Sequence, residues 1–392
     1  MGQKSAEDRS SSRLLAIEIG RGFAAIFVVL FHFNVISFSY FGSYPSVGVP
    51  FYGGHAGVEY FFVLSGFIIY YIHASDIGKS TRLTDFLRKR IIRIIPMYWL
   101  TISLMLVAFS LHPIWGEEKA LDAWKIVRDY LLIPRHWPLI LPPAWTLERE
   151  ALFYVIFGIC ILGRTPGVAL FLVWQSLTLF FSFFSYCYDT HLSDPLWYLF
   201  GVHNLGFFVG VCCSWAYTNR ERPSNLARGL LLAAGATLVL VVMFIEAHQS
   251  LDSAASQSAA REVAGSMCYT IGFGLIIYSC VWYRVSYTNG LLSFLSLLGG
   301  SSYIIYLMHE PIASLCFKIL ASHAVRGYVD ANLAYALTVV AAIAASVVVH
   351  LLVERPVGRY LRKKFISSPI RAAKVGSAAA VSPLSAGRMA PE

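Results

Sequence analysis

Charge is the scarcest ingredient of this sequence, with only 14% of its 392 residues being Asp, Glu, Lys or Arg. Soluble domains carry about 25%, and so low a fraction cannot furnish a water-facing surface. Cysteine is present but unpatterned. Cys160, Cys187, Cys212, Cys213, Cys268, Cys280 and Cys316 fall in or beside apolar runs, and none forms a Cys-x-x-Cys pair. That argues against a disulfide framework or a zinc site, so no metal is expected and the thiols read as small buried side chains. A cleavable leader is missing too: Met1 to Ser12 is polar, and the first apolar stretch is too long and lacks a small-residue cleavage site. That stretch is expected to stay as the first helix. There is no internal repeat, a mark that many transporters carry.

What the chain has instead is apolar length. Hydrophobic residues make up 57%, and mean hydropathy is +0.61. Runs of about 18 or more apolar residues, each enough to cross a bilayer core, predict spans near 14–36, 53–73, 91–111, 144–162, 168–187, 195–217, 229–247, 263–283, 292–320 and 332–353. The fold expected is an all-α integral membrane bundle of about ten helices. It divides into a cytoplasmic segment 1–13, a membrane domain 14–360 and a tail 361–392, rich in Ala, Ser and Pro, expected to be disordered. Lys79, Arg82, Arg88, Lys89, Arg90 and Arg93 precede or enter span three, and Arg355, Arg359, Arg362, Lys363 and Lys364 follow span ten. Loops 37–52 and 188–194 contain no Lys or Arg, whereas 112–143 mixes both signs and is long enough for a surface helix. The positive-inside rule favours both termini in the cytoplasm. It also accounts for the net charge of +9 without nucleic acid as a partner.

Ionisable groups inside the spans carry the functional argument, because at mid-membrane each costs at least about 2.5–3.5 kcal/mol. In span one Arg21 and His32 are eleven residues apart, which at about 100° per residue puts them on one face, on the order of 16 Å apart along the axis. A permanent guanidinium suits phosphate or carboxylate, and an imidazole suits proton transfer. The structural alternatives are snorkelling for Arg21 and a helix–helix hydrogen bond for His32. Glu18, one turn earlier, can pair with Arg21. Span four opens Trp145-Thr146-Leu147-Glu148-Arg149-Glu150 after Pro142 and Pro143. Thr146 is the expected N-cap, Glu148 fits the helix dipole of a first turn, and Glu150, one turn deeper, is placed to orient His32 or to act as a base. Span two holds His55 and Glu59 among Gly57, Ser65 and Gly66, small residues that let helices approach closely. Arg90 and Arg93 share a face and read either as topology-setting charge or as an anion site. Tyr303 and His309 lie in span nine, where Pro311 is a candidate kink.

Several of these segments together resemble acyltransferase family 3, membrane proteins that O-acylate bacterial polysaccharides and other glycans. The likeness rests on Arg21 with His32, and on Gly57-Val58-Glu59 running into Phe61-Phe62-Val63-Leu64-Ser65-Gly66-Phe67. It rests also on Arg90-Ile91-Ile92-Arg93 with Pro96, Tyr98 and Trp99, and on Trp145-Thr146-Leu147 with Glu150, Phe153 and Tyr154. Ser302 to His309 and Glu354-Arg355-Pro356 match the last two spans. Glu59 stands where the family often has Asp, and Ala151 where it often has a second Glu. The resemblance implies a multi-pass protein of the bacterial inner membrane with no permanently bound cofactor. The donor it implies is acyl-CoA, acetyl-CoA in the exopolysaccharide-modifying branch, and the acceptor a polysaccharide or lipid-linked oligosaccharide. On this reading Arg90 and Arg93 bind the donor's phosphates, Arg21 holds it deeper, and His32 is base or acyl carrier with Glu150 fixing its tautomer. Glu59, Trp145, Tyr303 and His309 support the substrate or the site. No esterase-like domain is expected after the last span. A transporter or flippase for a lipid-linked sugar is the competing class.

Overall fold

The computed structural model describes residues 2–113, 116, 122–134, 138–252, 258–283 and 290–366. Among them the chain is helical throughout: α1 Gly2–Phe41, α2 Gly57–His73, α3 Leu83–Leu111, α4 Ala123–Tyr130, α5 Ala144–Leu162, α6 Arg164–Tyr188, α7 Asp194–Phe200, α8 Leu205–Asn219, α9 Asn225–Asp252, α10 Ala259–Cys280, α11 Gly290–Leu320, α12 Ala331–Val349 and α13 Arg355–Phe365. Among the described residues nine helical stretches are long and apolar enough to cross a membrane, and the chain is a multi-pass membrane protein. The tenth expected span, α5, is helical over 19 residues but carries Glu148, Arg149 and Glu150 in one turn. The surface helix expected within 112–143 is α4. Glu117, Glu118, Lys119, Arg135 and the tail beyond 366 lie outside the described residues.

Two helix starts differ from expectation. α1 runs back to Gly2, so the polar segment 1–13 continues the helix. Neither proline nor glycine interrupts residues 3 to 19. α5 begins at Ala144 with no side-chain cap. Thr146 sits inside the helix and donates its hydroxyl to the Pro143 carbonyl at 3.0 Å, so it does not cap. Elsewhere the helix signals work as chemistry requires. Asp330 accepts from the Leu333 N–H at 2.7 Å, and Ser258 caps α10, satisfying amides that have no partner within their helix. Before Arg355-Pro356 the chain winds one π-helical turn, His350–Glu354, and α11 continues as one helix through Pro311.

Small residues set the closest approaches. A Cβ on Gly299 would stand 1.9 Å from the Glu18 carbonyl oxygen, which ties α11 to α1. One on Gly66 would stand 2.2 Å from the Phe207 carbonyl, which ties α2 to α8. With no hydrophobic drive between helices in lipid, such backbone contact supplies much of the association. Aromatic packing fills the space around them: Phe153 and Phe207 stack at 4.4 Å, and Phe62 meets Phe207 at 5.1 Å.

The two ends of the bundle differ in charge. Gly78, at φ +80°, closes the turn after α2 and donates its N–H to the Cys160 carbonyl at 3.0 Å, next to the start of α6. α13 packs against α3. Both basic clusters therefore lie at one end, the cytoplasmic end by the positive-inside rule. Loop 188–194 lies at the opposite end, where Asp189 accepts from the Ala260 N–H at 2.9 Å.

Candidate active site

Two adjoining hollows between these helices, among others, take in most of the ionisable residues singled out above. Arg21, Arg93, Ser65, Glu150 and Tyr303 line the one nearer the basic end, about 60 Å³ in volume. The other, about 190 Å³, lies nearer the opposite end and is lined by His32, His55, Glu59, Trp145, Trp197 and His203. Val58 and Tyr306 line both. Arg21 and His32 thus belong to adjoining hollows that meet at one tyrosine.

In the smaller hollow the cations come from α1 and α3. Glu150 faces them from α5 and accepts from Ser65 Oγ at 2.8 Å and from Tyr154 Oη at 2.5 Å. Tyr303 donates to the Ile94 carbonyl at 2.8 Å. The expected arginine pair divides here. Arg93 lines the hollow, whereas Arg90 is buried (7% exposed). Arg90 donates to His73 Nε2 at 3.2 Å and lies 5.7 Å from the Phe86 and Tyr154 ring centres. The second cation beside Arg93 in the hollow is Arg21 rather than Arg90, because Arg21 on α1 and Arg93 on α3 both line it together with Glu150.

In the larger hollow His32 sets its Nδ1 2.9 Å from the Val28 carbonyl. A carbonyl only accepts, so Nδ1 carries the hydrogen and Nε2 presents a lone pair. His309 repeats the pattern, with Nδ1 2.6 Å from the Tyr306 carbonyl and a buried Nε2 that has no hydrogen-bond partner. The two imidazoles meet edge to face at 4.8 Å. Between them stands Glu310, its Oε1 3.6 Å from His32 Nε2 and 4.0 Å from His309 Nε2. The carboxylate beside His32 is Glu310, where the sequence pointed to Glu150. Glu150 lines the other hollow, held there by Ser65 and Tyr154. The three ligand atoms of His32, His309 and Glu310 lie within 4.8 Å of one another, so lone pairs converge on a point suited to a proton or a small cation. Nothing in the spacing of single helices foretold this group. The one signal was a Glu directly after His309 in an apolar run.

The far wall is aromatic and acidic. Trp145 and Trp197 lie 5.5 Å apart, and the fully buried Arg149 rests 4.0 Å from the Trp197 ring centre. Glu59 (2% exposed) accepts from Ser266 Oγ at 3.0 Å and pairs with His203 Nδ1 at 3.0 Å. His203 Nε2 approaches Glu262 at 3.7 Å. His55 pairs with Glu246 at 3.0 Å. Trp197 and His203 escaped sequence reasoning because they sit on a seven-residue helix and the turn after it, where no period exists to read.

Comparison with known proteins adds an independent finding. The family described as an acyltransferase domain matches residues 14–351. The exopolysaccharide production protein ExoZ of Rhizobium meliloti is 36% identical over 112 residues, 27% of this chain and 33% of that protein. The peptidoglycan O-acetyltransferase OatA of Listeria monocytogenes is 25% identical over 328 residues, 76% of this chain and 49% of that protein. The YrhL protein of Bacillus subtilis is 27% identical over 332 residues, 75% and 48%. The chain therefore spans about half the length of OatA and YrhL, and a third of ExoZ. No solved structure matches.

Proposed function

The chain belongs to acyltransferase family 3, and from that premise we propose that it transfers an acyl group, acetyl in the simplest case, from acyl-CoA to a glycan hydroxyl. The observation that carries this reading is the pair of hollows meeting at Tyr306: one offers two guanidinium groups, the other an imidazole with a free Nε2. The first, about 60 Å³, has the charge to hold one anionic group of a phosphorylated, thioester-bearing donor. Arg21 and Arg93 attract its anionic groups, and planar guanidinium groups grip phosphate in two-pronged fashion. The hydroxyl of a polysaccharide or lipid-linked oligosaccharide fits the second.

The chemistry needs one proton moved. His32 Nε2 accepts the hydroxyl hydrogen as the oxygen attacks the thioester carbonyl. The C–S bond then breaks, the acyl group stays on the sugar oxygen, and the proton ends on the leaving thiolate. Glu310 faces the imidazolium formed in between. The Val28 carbonyl holds the tautomer, the task first given to Glu150. Tyr306 bonds Thr146 at 2.9 Å and stands with its hydroxyl between donor and acceptor. Names of relatives that act in exopolysaccharide production or peptidoglycan O-acetylation support a glycan as acceptor.

The test is ester formation from labelled acyl-CoA and glycan by the purified full chain in nanodiscs. His32→Ala is expected to abolish transfer while leaving the protein folded. Full transfer by that variant, or movement of glycan across the membrane with no ester formed, would overturn the reading.

A further inference from the structure

The larger hollow has features that proton transfer alone does not require. Glu59 lines it, is 2% exposed, and has an Oε2 with no hydrogen-bond partner. A buried carboxylate oxygen without a donor is costly, and a ligand hydroxyl supplies one. Beside it stand two indoles, both partly exposed to the hollow. Arg149 is a guanidinium almost wholly enclosed by Trp145, Trp197 and Tyr198, and a ring held against a buried cation keeps one orientation. Fixed aromatic faces next to hydrogen-bonding carboxylates answer to one ligand chemistry. The positively polarised C–H faces of a sugar ring lie on the negative face of an indole, while its equatorial hydroxyls reach sideways to acceptors.

We propose that this hollow is a subsite for a single uncharged pyranose, stacked on Trp197 and Trp145 and hydrogen-bonded to Glu59, with one hydroxyl meeting His32. The proposal deepens the acyl-transfer reading and rests on it for calling the sugar an acceptor. The volume of about 190 Å³ leaves room for a ring. Tyr306 and Val58 line the side shared with the smaller hollow. Charge selects as well. Glu59 is the acid that lines the space and its Oε2 has no hydrogen-bond partner, while the nearby guanidinium of Arg149 is engaged with the indoles, so the carboxylate of a uronate or the phosphate of a phosphorylated sugar set against Glu59 is repelled.

The experiment is saturation-transfer NMR on the full chain in nanodiscs. The probes are the methyl glycosides of glucose, galactose and N-acetylglucosamine, with methyl glucuronide as the charged control. At least one neutral glycoside is expected to bind saturably through one ring face. Affinity should fall about tenfold or more in Trp197→Ala, as loss of a stacking face implies. Trp197→Phe, which keeps an aromatic face and the packing on Arg149, should restore most of it. Glucuronide should not compete. Absence of binding by all three neutral glycosides, wild-type affinity in folded Trp197→Ala, or glucuronide binding as tightly would overturn the subsite. The two readings fail separately. Binding that depends on Trp197 without ester formation from acyl-CoA overturns acyl transfer and keeps the sugar site. Ester formation with wild-type acceptor KM in Trp197→Ala does the reverse.

Discussion

Glu310→Gln keeps the shape of the side chain and removes one charge from beside His32. The carboxylate oxygen lies 3.6 Å from Nε2. Two unit charges at that separation attract by about 5 kcal/mol at an effective dielectric of about 20. Side-chain exposures of 29% for His32 and 18% for Glu310 let solvent take part of this. Only part of the imidazolium charge exists at the transition state, so about 2 kcal/mol of stabilisation is at stake, or about thirtyfold in rate. The Val28 carbonyl still anchors Nδ1, so the ring stays in place. The loss should therefore fall on kcat, with KM for donor and glycan within about twofold. The assay is steady-state transfer from labelled acyl-CoA by protein in nanodiscs, with Glu310→Asp as a partial rescue. Glu150→Gln is the internal contrast. It perturbs the hollow of Arg21 and Arg93 and should raise donor KM. A kcat for Glu310→Gln within about twofold of wild type would refute the assignment of the charge partner, as would a kcat loss found only in Glu150→Gln.

Other expectations follow from the same geometry. Arg93→Ala should raise donor KM about tenfold or more, whereas Arg90→Ala should lower the thermal midpoint, since Arg90 is buried against His73, Phe86 and Tyr154; kinetics and melting curves separate the two. Gly66→Ala sets a methyl 2.2 Å from a backbone oxygen, which cannot swing aside, and should cost about 1–3 kcal/mol, read as a lower melting temperature in detergent. The Ala260 N–H holds the Asp189 carboxyl below its usual range. With the folded value depressed, this clip onto α10 is intact above the unfolded value and lost as pH falls through the folded one. The protection of the Ala260 amide, its exchange rate relative to free peptide at the same pH, should therefore fall in acid, and Asp189→Asn should remove that pH dependence.

What could be read from the sequence was whatever repeats along one helix. The apolar runs all fall on helix because length and hydropathy decide insertion, although 195–217 divides between α7 and α8 and α5 carries too much charge to count among the nine. Arg21 and His32 could be placed toward one interior because the 3.6-residue period fixes relative direction. That period says nothing of what stands across the gap. Glu310 reaches His32 from a helix 278 positions away, and it sat beside Pro311 in a run that looked like packing. Glu150 drew attention because it lies deeper than the first-turn carboxylate that the helix dipole explains, yet its partners Ser65 and Tyr154 keep it on the other side of Tyr306. Arg90 and Arg93 share a face by spacing. Even so, a few degrees of rotation decide which of them sees the hollow, and the sequence holds no such angle.

The same limit explains why the sugar-facing wall was found only in three dimensions. Trp145 begins a long helix and was singled out, but its companions are Trp197, on a helix of two turns, and His203, in the turn beyond. Irregular backbone at membrane depth is tolerated where it borders a cavity or is buried in protein. The break between α7 and α8 is therefore itself a pointer: residues 201–204 interrupt an otherwise apolar stretch with Gly201, His203 and Asn204. Asn204 donates to the Tyr198 and Leu199 carbonyls at 3.1 Å, which caps the end of α7 and frees the following turn to aim His203 at Glu59. An uninterrupted helix through these residues would satisfy its own backbone and would not need Asn204. That the chain breaks here, opposite His32, ties the irregularity to the hollow it lines.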